Sequence, residues 1–217
     1  MDPREEIVSI AGKIEMSGLT RGTWGNVSLR YGEKIYITPS GVPYDELEPD
    51  DIAILDMDGN QIGGQKKRST EFPLHLMIYK EFENINGIVH THSVHASAFA
   101  SAGMEIPCLT EDQAQIIGGR VPVCEYAHPG TEELARNVVN VLKEKNVFAV
   151  LMRKHGVVAI GRNLKEAFIA AQIVEKSAQI AIEAKILGNV EEISQEEIEF
   201  FRDEYLKSYS LNILRER

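Results

Sequence analysis

Residues 87–93 read Gly-Ile-Val-His-Thr-His-Ser, and this stretch decides how the chain is interpreted. Its apolar, β-branched start predicts a buried strand. Residues two apart in a strand point to the same face, so His90 and His92 project together, with Cβ atoms roughly 6–7 Å apart. Two imidazoles at that spacing can converge on one metal ion. The alternative, a pair of hydrogen-bonded strand histidines, is left open by this segment alone.

A third histidine strengthens the metal interpretation. His155 lies in a turn between the predicted strands 147–152 and 157–160, and active-site residues favour such turns on a rigid scaffold. A catalytic zinc site uses three protein ligands and keeps one position open. Of the other histidines, His95 is expected either to support the metal site or to be structural. His75 and His128 are expected to be structural or surface residues.

Glu71 follows two hydroxyl residues and precedes Pro73, at the start of a predicted helix over 73–83. Taken alone, Glu71 is interpreted as a solvated carboxylate in the first helical turn, with Ser69 and Thr70 as helix caps. The functional alternative is a base beside the metal.

Two tight turns, residues 23–28 and 38–41, are rich in glycine and hydroxyl groups, and such turns can present backbone N–H groups to an anion. The nucleotide, zincin and serine-hydrolase motifs GxGxxG, GxxxxGK[ST], HExxH and GxSxG find no match in the sequence.

The composition fits one globular domain over residues 1–217, with a C-terminal helix and tail from about 194. A net charge of −10 argues against a nucleic-acid binder but does not exclude a phosphorylated substrate. Cys108 and Cys124 are expected to be buried thiols in a reducing compartment. The acidic N-terminus predicts no signal peptide, and the longest apolar run is too short for a membrane span. We therefore expect a cytoplasmic protein with no nucleic-acid or membrane partner.

Periodicity and turn signals predict a sheet covered by helices on both faces. The predicted strands are 26–30, 34–38, 52–56, 87–93, 121–124, 147–152 and 157–160. The predicted helices are 4–18, 73–83, 94–102, 111–117, 131–143, 163–187 and 194–207. Thr131, Asn163 and the pattern from Ser194 to Glu197 are the expected helix caps.

Five motifs occur here in the order and spacing of the class II aldolase/adducin superfamily: GNVS (25–28), ITPSG (37–41), STE (69–71), HTHSVHA (90–96) and KHG (154–156). The chain most resembles the L-fuculose-1-phosphate aldolase branch. The resemblance implies an α/β fold, a three-layer α/β/α arrangement around a mostly antiparallel sheet. It also implies one Zn²⁺ per subunit and a homotetramer whose active sites lie between subunits.

The resemblance also implies roles for individual residues. The metal ligands would be His90, His92 and His155, and Glu71 would bind the resting metal and then act as the base. The phosphate-binding positions would be Gly25, Asn26, Ser40, Gly41, Ser69 and Thr70. Tyr209, in the tail, would reach a neighbouring subunit's site and donate a proton to the aldehyde oxygen.

The implied reaction is the reversible cleavage of a ketose 1-phosphate, first of all L-fuculose 1-phosphate. The products would be dihydroxyacetone phosphate and L-lactaldehyde, formed through a metal-stabilised enediolate. The burial of Glu71 would raise its pKa once substrate displaces it from the metal. Glutamate at position 71 favours an aldolase, because the L-ribulose-5-phosphate 4-epimerase branch carries aspartate there.

Two features keep other activities open. The sequence around Trp24 resembles the epimerase branch, and the tyrosine of fuculose-phosphate aldolase is missing from residues 110–115. Four residues could take the place of that tyrosine: Glu111, Asp112, Gln113 and Gln115. The alternatives are a 4-epimerase or a methylthioribulose-1-phosphate dehydratase on the same metal site, and a non-catalytic adducin-like protein.

Overall fold

The computed structural model describes residues 2–209, without the side chains of Ser208 and Tyr209. Within this range the strands are β1 Asn26–Tyr31, β2 Lys34–Ile37, β3 Ala53–Leu55, β4 Gln61–Gly63, β5 Gly87–Thr91, β6 Val123–Cys124, β7 Ala149–Met152 and β8 Gly156–Gly161. The helices are α1 Pro3–Met16, α2 Phe72–Glu81, α3 Val94–Ala102, α4 Glu111–Ile116, α5 Glu132–Lys145, α6 Leu164–Leu187 and α7 Gln195–Glu204. A π-helical turn, Tyr205–Tyr209, follows α7.

The strands form one sheet in the order β4-β3-β2-β1-β5-β8-β7-β6. Every neighbouring pair is antiparallel except β6 and β7. Strand β5 lies in the middle, and all its residues are buried. Its residue His90 is paired with Asn26 on one side and with Val158 on the other. The histidine-bearing strand is therefore held by a ladder along both edges.

Helices cover both faces of the sheet. Val89 faces a core that includes residues of α1, α3, α4 and α6. Ile88, its neighbour in β5, faces the second core, which is built with α2 and α5. This alternation is what a strand buried on two faces requires. The three-layer α/β/α prediction is confirmed.

Most helix boundaries follow the predicted caps. The side chains of Thr131 and Asn163 accept hydrogen bonds from the first turns of α5 and α6. Ser194 and Glu197 form a reciprocal capping box. The sequence prediction missed β4, a three-residue strand at the sheet edge with little apolar signal. It also extended the last α-helix to 207, whereas α7 ends at Glu204.

The C-terminal segment is fixed to the body of the fold by buried polar contacts. Tyr205 donates to the buried Glu166 carboxylate at 2.8 Å, and Glu166 also forms an ion pair with Arg162. Arg202 donates to the carbonyls of Gln115 and Ile116 at 2.7 Å each. These bonds attach α7 to both α4 and the start of α6. No helix among residues 2–209 is long and apolar enough to cross a membrane.

Gly87 offers a test of the packing between β5 and α6. A Cβ atom at this position would lie 2.5 Å from both the Asn163 carbonyl oxygen and the Leu164 Cα. Because backbone atoms cannot move aside cheaply, Gly87→Ala is expected to lower the free energy of unfolding by roughly 1–3 kcal/mol in urea titrations.

Gly12→Ala is the matched control for that substitution. Gly12 lies within α1, and a Cβ atom there meets nothing within 4 Å. Alanine is the better helix former, so this variant should gain about 0.5–1 kcal/mol. Equal stability of the two variants would contradict the tight contact at Gly87.

Candidate active site

Three histidines converge at the end of β5. His90 lies in the strand, His92 directly after it, and His155 in the turn between β7 and β8. Their ring centroids are 4.8–4.9 Å apart, and one ligand nitrogen from each lies within 4.8 Å of the others. The structure thus brings together the three histidines predicted to bind a metal.

Two glycines allow this convergence. A Cβ atom at Gly156 would lie 2.4 Å from the Thr91 carbonyl oxygen and within 3.4 Å of both His90 and His92. At Gly25, which has a φ of +99°, a Cβ atom would lie 2.6 Å from the His90 carbonyl oxygen. Only glycine leaves room for the neighbouring backbones to approach β5 this closely.

The hydrogen-bonding pattern leaves lone pairs facing one another. His90 donates through Nδ1 to the Val157 carbonyl at 2.9 Å, so a neutral His90 presents a lone pair on Nε2. That Nε2 atom lies 3.1 Å from both His92 Nε2 and Glu71 Oε2. Such a cluster of acceptors needs a cation or a proton between its members. Three imidazole nitrogens and a carboxylate form a donor set that suits Zn²⁺.

Glu71 is the N-cap residue of α2 and is largely buried. Its Oε2 accepts from Asn26 Nδ2 at 2.7 Å, and its Oε1 lies 3.4 Å from His155 Nε2. Burial raises the pKa of Glu71, but the charge and hydrogen bond of His90 together lower it well below the usual range. Glu71 is therefore ionised next to the histidines. The solvated carboxylate expected from its sequence context alone is not what the structure shows.

The surroundings favour neutral imidazoles at two of the histidines. Burial, and secondly the charge on His90, lower the pKa of His92 to about 3 and that of His155 to about 4. For His90, burial lowers the pKa, but the facing Glu71 carboxylate raises it above the ordinary value. Neutral imidazole is the form that binds a metal.

The turn at residues 38–41 lies against the segment that contains Ser69 and Thr70, and both are predicted to bind phosphate. The Thr70 amide donates to Ser40 Oγ at 3.2 Å, and the Ser40 amide donates to the Lys67 carbonyl. Ser40, Gly41 and Thr70 are exposed, whereas Ser69 is buried. The side chain of Asn26 is buried and bonded to Glu71. Phosphate binding by these residues and by Gly25 stays a prediction.

A cavity of about 340 Å³ opens beside His92 and His155. Its lining consists of Gly18, Arg21, Trp24, His92, Val94, Lys154 and His155. The ring centroid of Trp24 lies 6.0 Å from that of His92, and 68% of Trp24 is exposed. The cavity therefore combines an apolar wall, two cationic side chains and two of the candidate metal ligands, His92 and His155.

The remaining histidines lie outside the cluster. His95 pairs with Glu175 at 2.7 Å, and His128 is exposed. His75 is completely buried and hydrogen-bonded to Asn26, one step from Glu71. Sequence reasoning did not connect His75 with the site. The available signal was the four-residue spacing from Glu71 to His75 on one helix face.

The segment lacking the expected tyrosine forms the first turns of α4. Gln113 is buried and donates to the Gly119 carbonyl at 3.0 Å, and Asp112 forms an ion pair with Lys176. Glu111 is exposed and Gln115 is half-buried. The predicted catalytic side chain of Tyr209 lies outside the described residues.

The family is settled by sequence comparison. A sequence model described as the Class II Aldolase and Adducin N-terminal domain matches residues 5–182. The chain belongs to this family. The match contains the three clustered histidines, Glu71 and both glycine-rich turns.

Relatives of known name place the chain among the aldolases of this family. It is 39% identical over 198 residues to 5-deoxy-D-ribulose 1-phosphate aldolase of Bacillus thuringiensis, covering 90% of this chain and 92% of the relative. It is 34% identical over 209 residues to L-fuculose phosphate aldolase of Escherichia coli, covering 96% and 95%. A solved L-fuculose 1-phosphate aldolase superposes with a TM-score of 0.90 at 32% identity, covering 94% and 96%.

The chain is accordingly a class II, metal-dependent aldolase, a lyase. These comparisons favour the aldolase over the epimerase, dehydratase and adducin-like alternatives. They also agree with the glutamate at position 71, which the sequence interpretation took as the mark of an aldolase.

Metal binding can be followed through Trp24, the single tryptophan of the chain. Because its ring lies next to His92, Zn²⁺ added to chelator-treated protein should change the Trp24 fluorescence, with saturation at one ion per chain. His155→Ala removes one ligand and should weaken binding by more than about 100-fold.

His128→Ala is the control, because His128 is exposed and outside the cluster. Its zinc titration should superimpose on that of the unmodified protein. Full zinc affinity in His155→Ala would show that the clustered histidines are not the metal ligands.

Proposed function

We propose that this protein is a zinc-dependent aldolase that reversibly cleaves a deoxyketose 1-phosphate to dihydroxyacetone phosphate and a short aldehyde. L-Fuculose 1-phosphate, which gives L-lactaldehyde, is the first substrate to test. 5-Deoxy-D-ribulose 1-phosphate, which gives acetaldehyde, is the second, in line with the 39% identical relative. The observation that carries the proposal is an ionised Glu71 held between His90 and His155, with His155 and His92 lining an open cavity.

His90, His92 and His155, with Glu71 in the resting state, would hold the Zn²⁺ ion. A bound Zn²⁺ ion supplies a Lewis acid that polarises the substrate carbonyl and stabilises developing negative charge. The support for this assignment is the donor set itself: three imidazole nitrogens within 4.8 Å of one another and a carboxylate oxygen 3.1 Å from His90 Nε2.

Proton transfer falls to Glu71 and Tyr209. In the condensation direction, Glu71 removes a proton from the hydroxyl-bearing carbon next to the carbonyl of dihydroxyacetone phosphate. Tyr209 donates a proton to the aldehyde oxygen as the new carbon–carbon bond forms. In the cleavage direction both transfers reverse: Tyr209 accepts the proton of the substrate hydroxyl group, and Glu71 gives its proton back to the carbon next to the carbonyl. Burial of Glu71 keeps water away from the carboxylate and raises its pKa, which opposes the lowering by His90.

The phosphate of the substrate would bind to the glycine- and hydroxyl-rich turns. Gly25 and Asn26 form one side, and Ser40, Gly41, Ser69 and Thr70 form the other. The contact between Thr70 and Ser40 supports this proposal, because it joins the 38–41 turn and the 69–70 segment into one surface with exposed hydroxyl groups. Anchoring the phosphate would fix the position of the carbonyl relative to Glu71.

We also propose the homotetramer, with residues 194–217 of one subunit reaching the site of another. The support for it is the apolar surface that Trp24 and Val94 leave exposed at the cavity. A cytoplasmic location is in keeping with the free, buried thiols of Cys108 and Cys124.

The first half-reaction provides a direct test. Zinc-loaded protein in D₂O should exchange one proton of dihydroxyacetone phosphate stereospecifically, as followed by NMR, and chelation should abolish the exchange. Glu71→Gln keeps the shape of the side chain but removes the base, so exchange should fall by about 10²–10⁴-fold at saturating zinc.

Glu83→Gln, at an exposed glutamate, is the control and should exchange normally. Exchange that survives complete metal removal would refute a zinc-dependent mechanism. If exchange is normal, incubation with each ketose 1-phosphate and assay of the released aldehyde identifies the better substrate.

Tyr209→Phe tests the role of the tail separately. The variant should turn over the aldehyde about 10²-fold more slowly, because the proton donor is lost, while zinc content and exchange of dihydroxyacetone phosphate remain unchanged. Tyr31→Phe, at an exposed tyrosine, is the matched control. Wild-type kinetics for Tyr209→Phe would remove Tyr209 from the mechanism.

A further inference from the structure

A line of buried polar side chains runs from Glu71 into the interior between α2 and β1. Glu71, His75 and Tyr79 recur every four residues along one face of α2. Asn26 and Ser28 recur every two residues on the facing side of β1. One helical turn and two strand residues advance the chain by similar distances, about 5.4 and 6.8 Å. The two periodicities therefore bring these five polar side chains together.

The contacts between them are continuous. Tyr79 Oη lies 2.8 Å from Ser28 Oγ, and Ser28 Oγ lies 2.6 Å from His75 Nδ1. His75 Nε2 is hydrogen-bonded to Asn26 Oδ1, and Asn26 Nδ2 donates to Glu71 Oε2 at 2.7 Å. His75 and Ser28 have no exposed surface, and Tyr79, Asn26 and Glu71 are at most 9% exposed.

Hydrogen-bond geometry fixes the direction of the protons between Glu71 and Ser28. Asn26 turns its NH₂ group toward Glu71 Oε2, so its carbonyl oxygen faces His75. His75 must then carry its proton on Nε2 and accept on Nδ1 from the Ser28 hydroxyl. Burial lowers the pKa of His75 to about 3, so the ring is neutral and has one proton to give.

This arrangement makes the two oxygens of Glu71 different. Oε2 is occupied by Asn26 at 2.7 Å and lies near His90 at 3.1 Å. Oε1 is buried, lies 3.4 Å from His155 Nε2, and has no hydrogen-bond partner among residues 2–209. A hydrogen bond to one oxygen lowers its basicity and fixes the carboxylate plane. Oε1 is therefore the oxygen left to accept a proton.

We propose that His75 is a positioning residue for the proton transfer, which rests on the aldolase function proposed above. Its Nε2–H group holds the Asn26 amide in one orientation. That orientation anchors Oε2 of Glu71 and leaves Oε1 free for the substrate proton. His75 touches neither substrate nor metal and acts through Asn26.

The test compares two substitutions at His75. Phenylalanine fills the space but offers no hydrogen bond, so the Asn26 amide loses its support. His75→Phe should lower kcat for proton exchange on dihydroxyacetone phosphate by about 10–100-fold, with KM and zinc content within about twofold of wild type. Glutamine can donate to Asn26 and accept from Ser28, so His75→Gln should recover most of the lost kcat.

His128→Phe, at an exposed histidine, controls for the substitution itself and should behave as wild type. Wild-type kcat in His75→Phe, or equal losses in His75→Phe and His75→Gln, would overturn the positioning role. A loss confined to KM would overturn it as well, because it would place the effect on phosphate binding.

A second measurement needs neither activity nor a variant. The ¹⁵N NMR spectrum of labelled, metal-free protein should show His75 as the neutral Nε2–H tautomer between pH 6 and 8. An Nδ1–H tautomer or a protonated ring would overturn the inference even if His75→Phe failed to fold. Absence of exchange by zinc-loaded wild type would instead refute the proposed function and leave the tautomer result standing.

Discussion

The site depends on the close approach of two backbones to the histidine-bearing strand. Gly25 and Gly156 flank β5 on opposite sides, and each would place a Cβ atom within 2.6 Å of a carbonyl oxygen on that strand. With those two positions open, Asn26 pairs with His90 on one side and Gly156 brings His155 to the other. Any side chain at either glycine would push apart the groups that must converge.

The affinity of the site for a cation comes from an electrostatic conflict, a repulsion between lone pairs that face each other in a site shielded from water. When His90 is neutral, the form that binds a metal, its Nε2 lone pair faces the Glu71 carboxylate 3.1 Å away inside a densely packed sheet. Burial makes such a conflict costly, because neither water nor mobile ions can screen it. A cation placed among these groups relieves the conflict, so metal affinity and the stability of this end of the sheet are linked.

Much of this could be predicted because the determining patterns are local. The two-residue spacing of His90 and His92 follows from strand geometry, and the caps at Thr131 and Asn163 follow from side-chain hydrogen bonding to nearby amides. The short edge strand β4 carries no such pattern. The burial of His75 also escaped prediction, because it depends on how α2 is aligned against β1, which is a contact between distant segments. Sequence patterns predict α2 and β1 separately, but they do not predict which residues of the helix lie opposite which residues of the strand.

The exposed indole of Trp24 has a consequence for how this protein can change. Trp24 stands next to Gly25, yet its own side chain projects from the rim and supports none of the β5 contacts. The hydroxyl of Thr20 bonds the carbonyl of Trp24 and fixes the loop through its main chain. The side chain at position 24 can therefore vary in size while the loop and the contacts of β5 stay intact. Exchanging this rim residue would reshape the mouth of the cavity at little cost to folding.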